Sequence, residues 1–239
     1  MYPFKFHIVR KDKVWGHELW TLSGYGSDLS IVANGPMAGV SLADLMLRHG
    51  AEIVGQHVYE RYGNLFPLLF KVIDAQDDLS IQVHPNDEQA VALSDGSGDV
   101  PALGKTEMWF VLDTDDGASI INGFAKDTSR EEVLAKTESL QLPSILQTVN
   151  VNYGDVAYIP AGQIHALRRG TVVAEIQETS DITYRVYDYH RPDKDGNYRE
   201  LHVDKAVSVL NYKRTTPPLV PYRLPAVNTV CNLVTDPHF

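Results

Sequence analysis

A single cysteine, Cys231, in 239 residues leaves no disulfide framework to hold this chain and no cysteine-based zinc site. Basic residues are scarce relative to acidic ones. Lys and Arg number 21 against 31 Asp and Glu, a net charge of −10 with no basic stripe to neutralise phosphates, so a nucleic-acid partner is excluded. No apolar run approaches the roughly 20 residues that cross a membrane as a helix. The opening MYPFKFHIVRKDKVWGHE also lacks the apolar stretch of a secretory leader. Repeats and low-complexity tracts are absent. What remains, 44% apolar and 22% charged, is ordinary globular composition able to bury a sizeable core. The chain reads as soluble, reduced and cytoplasmic.

Short runs rich in Val, Ile, Tyr and Phe dominate: PLLFKVIDA (67–75), LSIQVHP (79–85), TEMWFVLD (106–113), DVAYIP (155–160), TVVAEIQ (171–177) and ITYRVYDY (182–189). Each is of strand length and bounded by turn chemistry. Helical signals are fewer. SLADLMLRHG (41–50) opens with a Ser cap and is expected to stop at Gly50; NDEQAVAL (86–93) starts at Asn86. TSREEVLAKT (128–137) carries a Thr128–Glu131 capping box, and HVDKAVSVLN (202–211) lines up Val203, Ala206, Val207 and Leu210 on one helical face. Helices that do not alternate with strands favour an antiparallel sandwich or barrel over a parallel sheet. Four prolines in TTPPLVPYRLP (215–225) read as an extended connector, followed by the strand-like VNTVCNLV. The expected organisation is one β domain over 1–214, then a connector and the start of a second, apparently truncated β unit over 215–239.

Alternation along a strand turns sequence into geometry. Ser80, Gln82 and His84 share one face; so do Lys105, Glu107 and Trp109; so do Val173, Glu175 and Gln177; so do Thr183, Arg185, Tyr187 and Tyr189. A strand that merely meets water has no need of Gln-x-His followed by Pro. Two histidines and a carboxylate from different strands are the residue types that hold a catalytic metal with positions left open for substrate, and His84, Glu107 and His165 fit. Around His165 the pattern is Gly-x5-Pro-x-Gly-x2-His, through Gly154, Pro160 and Gly162. A turn, a strand stopped by proline and a glycine bend would aim the imidazole into a barrel mouth.

That pattern resembles the second motif of the cupin barrels. The first cupin motif, His-x-His with a nearby Glu, is replaced by Gln82-x-His84 with the Glu delayed to 107. LSIQVHPNDEQA, GKTEMW, YIPAGQIHAL and ETSDITYRVYDY together closely resemble the type I mannose-6-phosphate isomerases, zinc-dependent cupin enzymes, and the likeness runs from WGHELW (15–20) through HVDKAVSVLN. The resemblance implies a mainly β fold, a cupin-type antiparallel sandwich or jelly-roll barrel with a few inserted helices. It implies interconversion of mannose 6-phosphate and fructose 6-phosphate through an enediol. It places one zinc ion on Gln82, His84, Glu107 and His165. It assigns catalytic roles to Arg185, Lys105 and Glu175, and substrate contacts to Lys71, Ser80 and Asp181, with a small sugar phosphate as the partner. Other readings are a catalytically silent phosphosugar-binding cupin and an iron-dependent cupin oxygenase. His7, His17, His49, His57, His190, His202 and His238 show no ligand spacing and are assigned to surface or packing. Of Arg168 and Arg169, adjacent on a strand, at most one can face a phosphate.

Overall fold

The computed structural model describes residues 1–94, 102–193, 195–223 and 226–238. Eleven strands and five α-helices occupy the described residues: β1 Val9–Lys13, β2 Gly16–Ser23, α1 Leu42–Val54, α2 Gln56–Tyr62, β3 Leu68–Ala75, β4 Ile81–Val83, α3 Asp87–Leu93, β5 Glu107–Thr114, β6 Ser119–Phe124, α4 Arg130–Glu138, β7 Leu146–Asn150, β8 Val156–Ile159, β9 His165–Leu167, β10 Thr171–Glu178, β11 Tyr184–Tyr187 and α5 Val203–Val209. They form a six-stranded sheet in the order β1-β2-β3-β10-β5-β8 and a five-stranded sheet in the order β11-β4-β9-β6-β7. All the strand pairs are antiparallel. The mainly β sandwich read from the strand runs is therefore what the chain forms.

Two apolar clusters hold it. One lies between the sheets and contains Trp15, Ile73, Leu79, Trp109, Val111, Ile120, Ile159, Leu167 and Val173. The other lies where the five-stranded sheet meets α4 and α5, and joins Ile81, Val83, Phe124, Val133, Ile164, Val186, Ala206 and Val207. Each fully buried Ile, Leu or Val contributes about 1.5–3 kcal/mol relative to exposure. Register explains why the first cluster ends where it does. Ile73, Val173 and Val111 lie side by side across β3, β10 and β5, and two residues along the same strands come Lys71, Glu175 and Trp109. One face thus passes from apolar to charged within a single pleat repeat. One end of the sandwich is plugged, and the other opens as a polar cleft.

Several local readings need correction. The first helix does not stop at Gly50 but runs to Val54 with a kink at His49, and a second helix follows at once. Gly50 is a packing residue: a Cβ there would sit 2.6 Å from the Tyr59 ring of α2. The cap of α4 is Ser129, whose hydroxyl accepts from the Glu132 amide, one residue later than the Thr128 box. Between Arg185 and Tyr187 the β4–β11 register slips. Tyr187 and Tyr189 consequently pack against the outer cluster and not on the face of Arg185. VNTVCNLV forms no strand; Val227 and Val230 are exposed. Leu224 and Pro225 of the proline-rich connector lie outside the described residues.

The β1–β2 hairpin turns through Val14 and Trp15, which drops the indole into the core beside the cleft. Gly16 makes this possible at φ 142°, where a Cβ would meet the Asp74 carbonyl oxygen at 2.1 Å. Gly16→Ala is expected to lose at least the 1–3 kcal/mol typical of a strained backbone, read as a lower urea midpoint. An unchanged midpoint would mean that the turn relaxes freely.

Candidate active site

Cross-strand neighbours in antiparallel pairs project to the same side of a sheet. In the five-stranded sheet Arg185 lies opposite Gln82, Gln82 opposite His165, and His165 opposite Asn122, one continuous row. In the six-stranded sheet Trp20, Lys71, Glu175, Trp109 and Ala157 form a second row. Glu107 is two residues from Trp109 on the same strand, and therefore on the same face. The two rows meet across a cleft of about 260 Å³, whose walls include Lys71, Ser80, Gln82, Lys105, Glu175 and Arg185.

At its floor His84, Glu107 and His165 are all essentially inaccessible, and a ligand-type atom from each lies within 4.8 Å of the others. His84 Nδ1 is 2.8 Å from the Ile182 carbonyl oxygen, and His165 Nδ1 is 2.8 Å from that of Gln163. Each carbonyl fixes Nδ1 as the protonated nitrogen and leaves the Nε2 lone pair pointing inward. Those nitrogens face the Glu107 carboxylate, His84 Nε2 at 3.7 Å from Oε2 and His165 Nε2 at 3.3 Å from Oε1. Glu107 Oε1 is buried and receives no hydrogen bond among the described residues. Lys105 Nζ lies 3.3 Å from His84 Nε2, but Glu107 Oε1 stays orphaned, and two imidazoles converging on a carboxylate form a donor set that a divalent cation would satisfy. Gln82 reaches the same place, with its amide nitrogen 3.4 Å from His165 Nε2 and its oxygen 3.5 Å from Ser80 Oγ. The glycine of the His165 motif ties both halves together: Gly162, at φ 85°, donates its amide to the His84 carbonyl at 2.8 Å.

Residues 7–112 match the family described as phosphomannose isomerase type I, catalytic domain. The chain is 37% identical over 248 residues to the probable mannose-6-phosphate isomerase GmuF of Bacillus subtilis, covering 97% of this chain and 74% of that protein. It is 36% identical to the mannose-6-phosphate isomerase ManA of the same organism, covering 87% of this chain and 68% of that one. The chain belongs to the type I phosphomannose isomerase family. The solved mannose 6-phosphate isomerase of Bacillus subtilis superposes with a TM-score of 0.79 at 35% identity, covering 91% of this chain and 70% of that one. The cupin fold of the family is thus the sandwich described above.

Lysines and carboxylates alternate around the family's cleft. Lys105 Nζ donates to Glu107 Oε2 at 2.6 Å and lies 3.7 Å from Glu175 Oε1; Lys71 Nζ lies 3.4 Å from that same oxygen and 3.7 Å from Glu18. Trp109 donates its indole N–H to Glu175 Oε2 at 2.8 Å. Burial and the facing Glu175 charge push the Glu107 carboxyl up to about 7, against the pull of Lys105. Burial would raise Glu175 too, but Lys105 and Lys71 outweigh it and hold that carboxyl well below its usual range. Lys105 is held protonated by Glu107 and Glu175 despite burial. Burial drives both imidazoles toward the neutral form, His165 to about 4, helped at His84 by the Lys105 charge. Neutral imidazole is the form that ligates metal.

A pH dependence follows. Loading a cation must expel the Glu107 proton below about 7, whereas His165 stays neutral down to about 4. Metal affinity is therefore expected to be flat above pH 7 and to fall by up to about tenfold per unit between pH 7 and 5, as one competing proton requires. Competition titrations corrected for the chelator's own protonation measure this. A flat profile across that window would mean that Glu107 is already ionised there through its contact with Lys105.

Every residue singled out for the site lines or underlies this cleft, although Asp181 sits exposed at its rim. Arg168 and Arg169 point elsewhere: the Arg168 guanidinium and the Arg169 amide both engage Asp78. The sequence reading missed Glu18, which accepts from Trp20 Nε1 and pairs with Lys71, and Arg199, which forks onto Asp188 at the cleft wall. Glu18 lies in WGHELW, and its neighbour His17 faces Asp74. Arg199 is carried by a loop, and no periodic pattern marked it. Among the described residues no helix is long and apolar enough to cross a membrane.

Proposed function

We propose that this chain is a metal-dependent aldose–ketose isomerase that interconverts mannose 6-phosphate and fructose 6-phosphate through an enediol, with zinc held by Gln82, His84, Glu107 and His165. The observation that carries the reading is the convergence of two neutral imidazoles on a buried carboxylate with one orphaned oxygen, inside a lysine- and arginine-lined cleft of a chain in this family. Two histidines and a carboxylate suit zinc, and a single anionic ligand leaves the site a net positive charge. When bound, such an ion supplies Lewis-acid polarisation of a sugar oxygen.

The protein's own groups divide the remaining tasks. Opening the sugar ring needs an acid at the ring oxygen, and Lys105, held as an ammonium, donates there. Glu175 keeps Lys71 and Lys105 charged and oriented from between them. A base must take the C2 proton and return it to C1. Glu175, held as a carboxylate with Oε1 free of hydrogen bonds among the described residues, takes that role. The transfer leaves negative charge on the enediolate oxygens. Arg185 steadies it: the guanidinium donates from Nε to Ser80 Oγ at 3.3 Å and to the Glu200 carbonyl at 2.7 Å, and makes no ion pair among the described residues. Ser80 fixes that fork from behind, while Asp181 and Lys71 contact the sugar. Despite the net charge of −10, Lys71, Lys105, Arg185 and Arg199 offset the carboxylates Glu18, Glu175 and Asp181 that share the cleft lining, so a phosphate there does not meet the field of the chain as a whole.

A coupled assay of fructose 6-phosphate formation from mannose 6-phosphate tests this directly. Turnover is expected, with loss on chelation and recovery on adding a divalent cation. Stoichiometric metal with no turnover would leave a silent sugar-phosphate binder. Turnover indifferent to chelation would remove the metal from the reading.

A further inference from the structure

Arg185 stands on an edge strand. Among the described residues β11 pairs only with β4, so alternate residues along it turn an amide and a carbonyl outward with no strand to meet them. At Arg185 one residue, His202, takes both outward groups. The His202 amide donates to the Arg185 carbonyl at 2.7 Å, and the Arg185 amide donates to His202 Nδ1 at 3.2 Å. An imidazole nitrogen thus stands where the carbonyl of a neighbouring strand would. The same loop reaches the other end of the residue, where the guanidinium donates to the Glu200 carbonyl at 2.7 Å.

His202 occupies the N-cap position of α5, where Ser, Thr, Asp or Asn would turn a side-chain oxygen back onto the helix amides. It makes no side-chain cap to its own helix, and Nδ1 is spent on Arg185 instead. A nitrogen that accepts carries no proton, so the ring proton sits on Nε2, which faces Glu200 at 3.8 Å. This is the reverse of the tautomer at His84 and His165, whose Nδ1 nitrogens face carbonyl oxygens. Burial and the Arg185 charge favour the neutral ring, Lys205 acts the same way, and Glu200 opposes them. The Tyr184 ring lies beside it with centroids 6.3 Å apart, and α5 is rooted in the outer cluster through Ala206 and Val207. The group that holds Arg185 is therefore itself carried by a packed element.

We propose that His202 is a positioning residue for Arg185: its unprotonated Nδ1 and its amide lock the backbone there, so that the guanidinium meets the reacting sugar oxygens in one fixed plane. The inference rests on the role given to Arg185 above. His202→Phe keeps a ring beside Tyr184 and removes the acceptor, whereas His202→Asn keeps an acceptor near the Nδ1 position.

Steady-state kinetics on mannose 6-phosphate with parallel metal analysis tests both variants. His202→Phe is expected to lower kcat by about 10- to 100-fold, between the loss of one hydrogen bond and a misplacement of about 1 Å. KM and metal content should change little, and His202→Asn should recover most of the loss. In the Arg185→Ala background His202→Phe should cost nothing further, because the group it positions is gone. An unchanged kcat, equal losses in both backgrounds, or no recovery by Asn each overturns the proposal. A second readout does not depend on activity or on any variant's turnover. Nitrogen NMR of the histidine-labelled wild type, with His202 assigned by its absence from His202→Asn, should show the Nε2-protonated tautomer. An Nδ1-protonated ring overturns the clamp and leaves the isomerase reading standing. Full turnover in Arg185→Ala would instead remove the role of Arg185 itself, and this inference with it.

Discussion

His165→Ala should empty the cleft-floor metal site and abolish measurable isomerisation, while His17→Ala leaves both metal content and turnover intact. The two histidines differ in what surrounds them. His165 is fully buried, held by the Gln163 carbonyl and aimed at Glu107, whereas His17 lies on β2 beside Asp74. Losing an outer-shell partner of a metal ligand already costs 10–100-fold in affinity. Removing a direct ligand is expected to cost more than about 100-fold. His84→Ala should behave in the same way, because its Nε2 faces the other oxygen of Glu107. Metal analysis on purified variants, paired with the coupled assay, checks this. If both variants kept the wild-type metal content, the ligand set would lie elsewhere.

How much of this was legible in the sequence depended on periodicity. The faces carrying Ser80, Gln82 and His84, Lys105 and Glu107, and Glu175 and Gln177 follow from alternation alone, because a pleated strand has no other way to place its side chains. Alternation fails where the backbone slips. The irregularity between Arg185 and Tyr187 sends the tyrosine into the outer core, and one sequence carries no mark of such a bulge. Strands β6 and β9 were also invisible. SIINGF is buried throughout and His165–Leu167 spans three residues, so neither shows an apolar–polar rhythm.

The charged groups were legible as residue types and not as a network. Nothing in LFKV or KTE states that Lys71 and Lys105 converge on one oxygen of Glu175, since that convergence comes from the pairing of β10 with both β3 and β5. His238, assigned to surface or packing, packs against Asp87 and Glu178. Its partners are remote along the chain, and no spacing rule reaches across such separations. Keeping Lys71, Lys105, Glu107 and Glu175 buried opposes stability through desolvation. That is the kind of local conflict expected where a fold carries a function.

Arg185→Ala should lower turnover by roughly 10²–10³, about 3–4 kcal/mol of transition-state stabilisation, with KM changed little. Arg185 stands opposite Gln82, which stands opposite His165, so the guanidinium and the metal site share one row on the same face of the sheet. Its Nε and one terminal nitrogen are engaged by Ser80 and the Glu200 carbonyl, which fix the plane of the fork. Burial and the neighbouring Arg199 charge lower its pKa somewhat, but a guanidinium remains charged and cannot serve as the base. A fixed, uncompensated cation acts most strongly where negative charge grows, which is on the enediolate and not on the neutral sugar. Arg185→Lys should recover only part of the loss, because an ammonium cannot hold two acceptors in one plane and still meet a third. Metal content should match the wild type in both variants, since Arg185 is not a ligand. Steady-state kinetics on mannose 6-phosphate with parallel metal analysis separates the cases. Normal kcat with raised KM would move Arg185 from the reacting carbons to the phosphate. Loss of metal would make it a support for Gln82 and its neighbours.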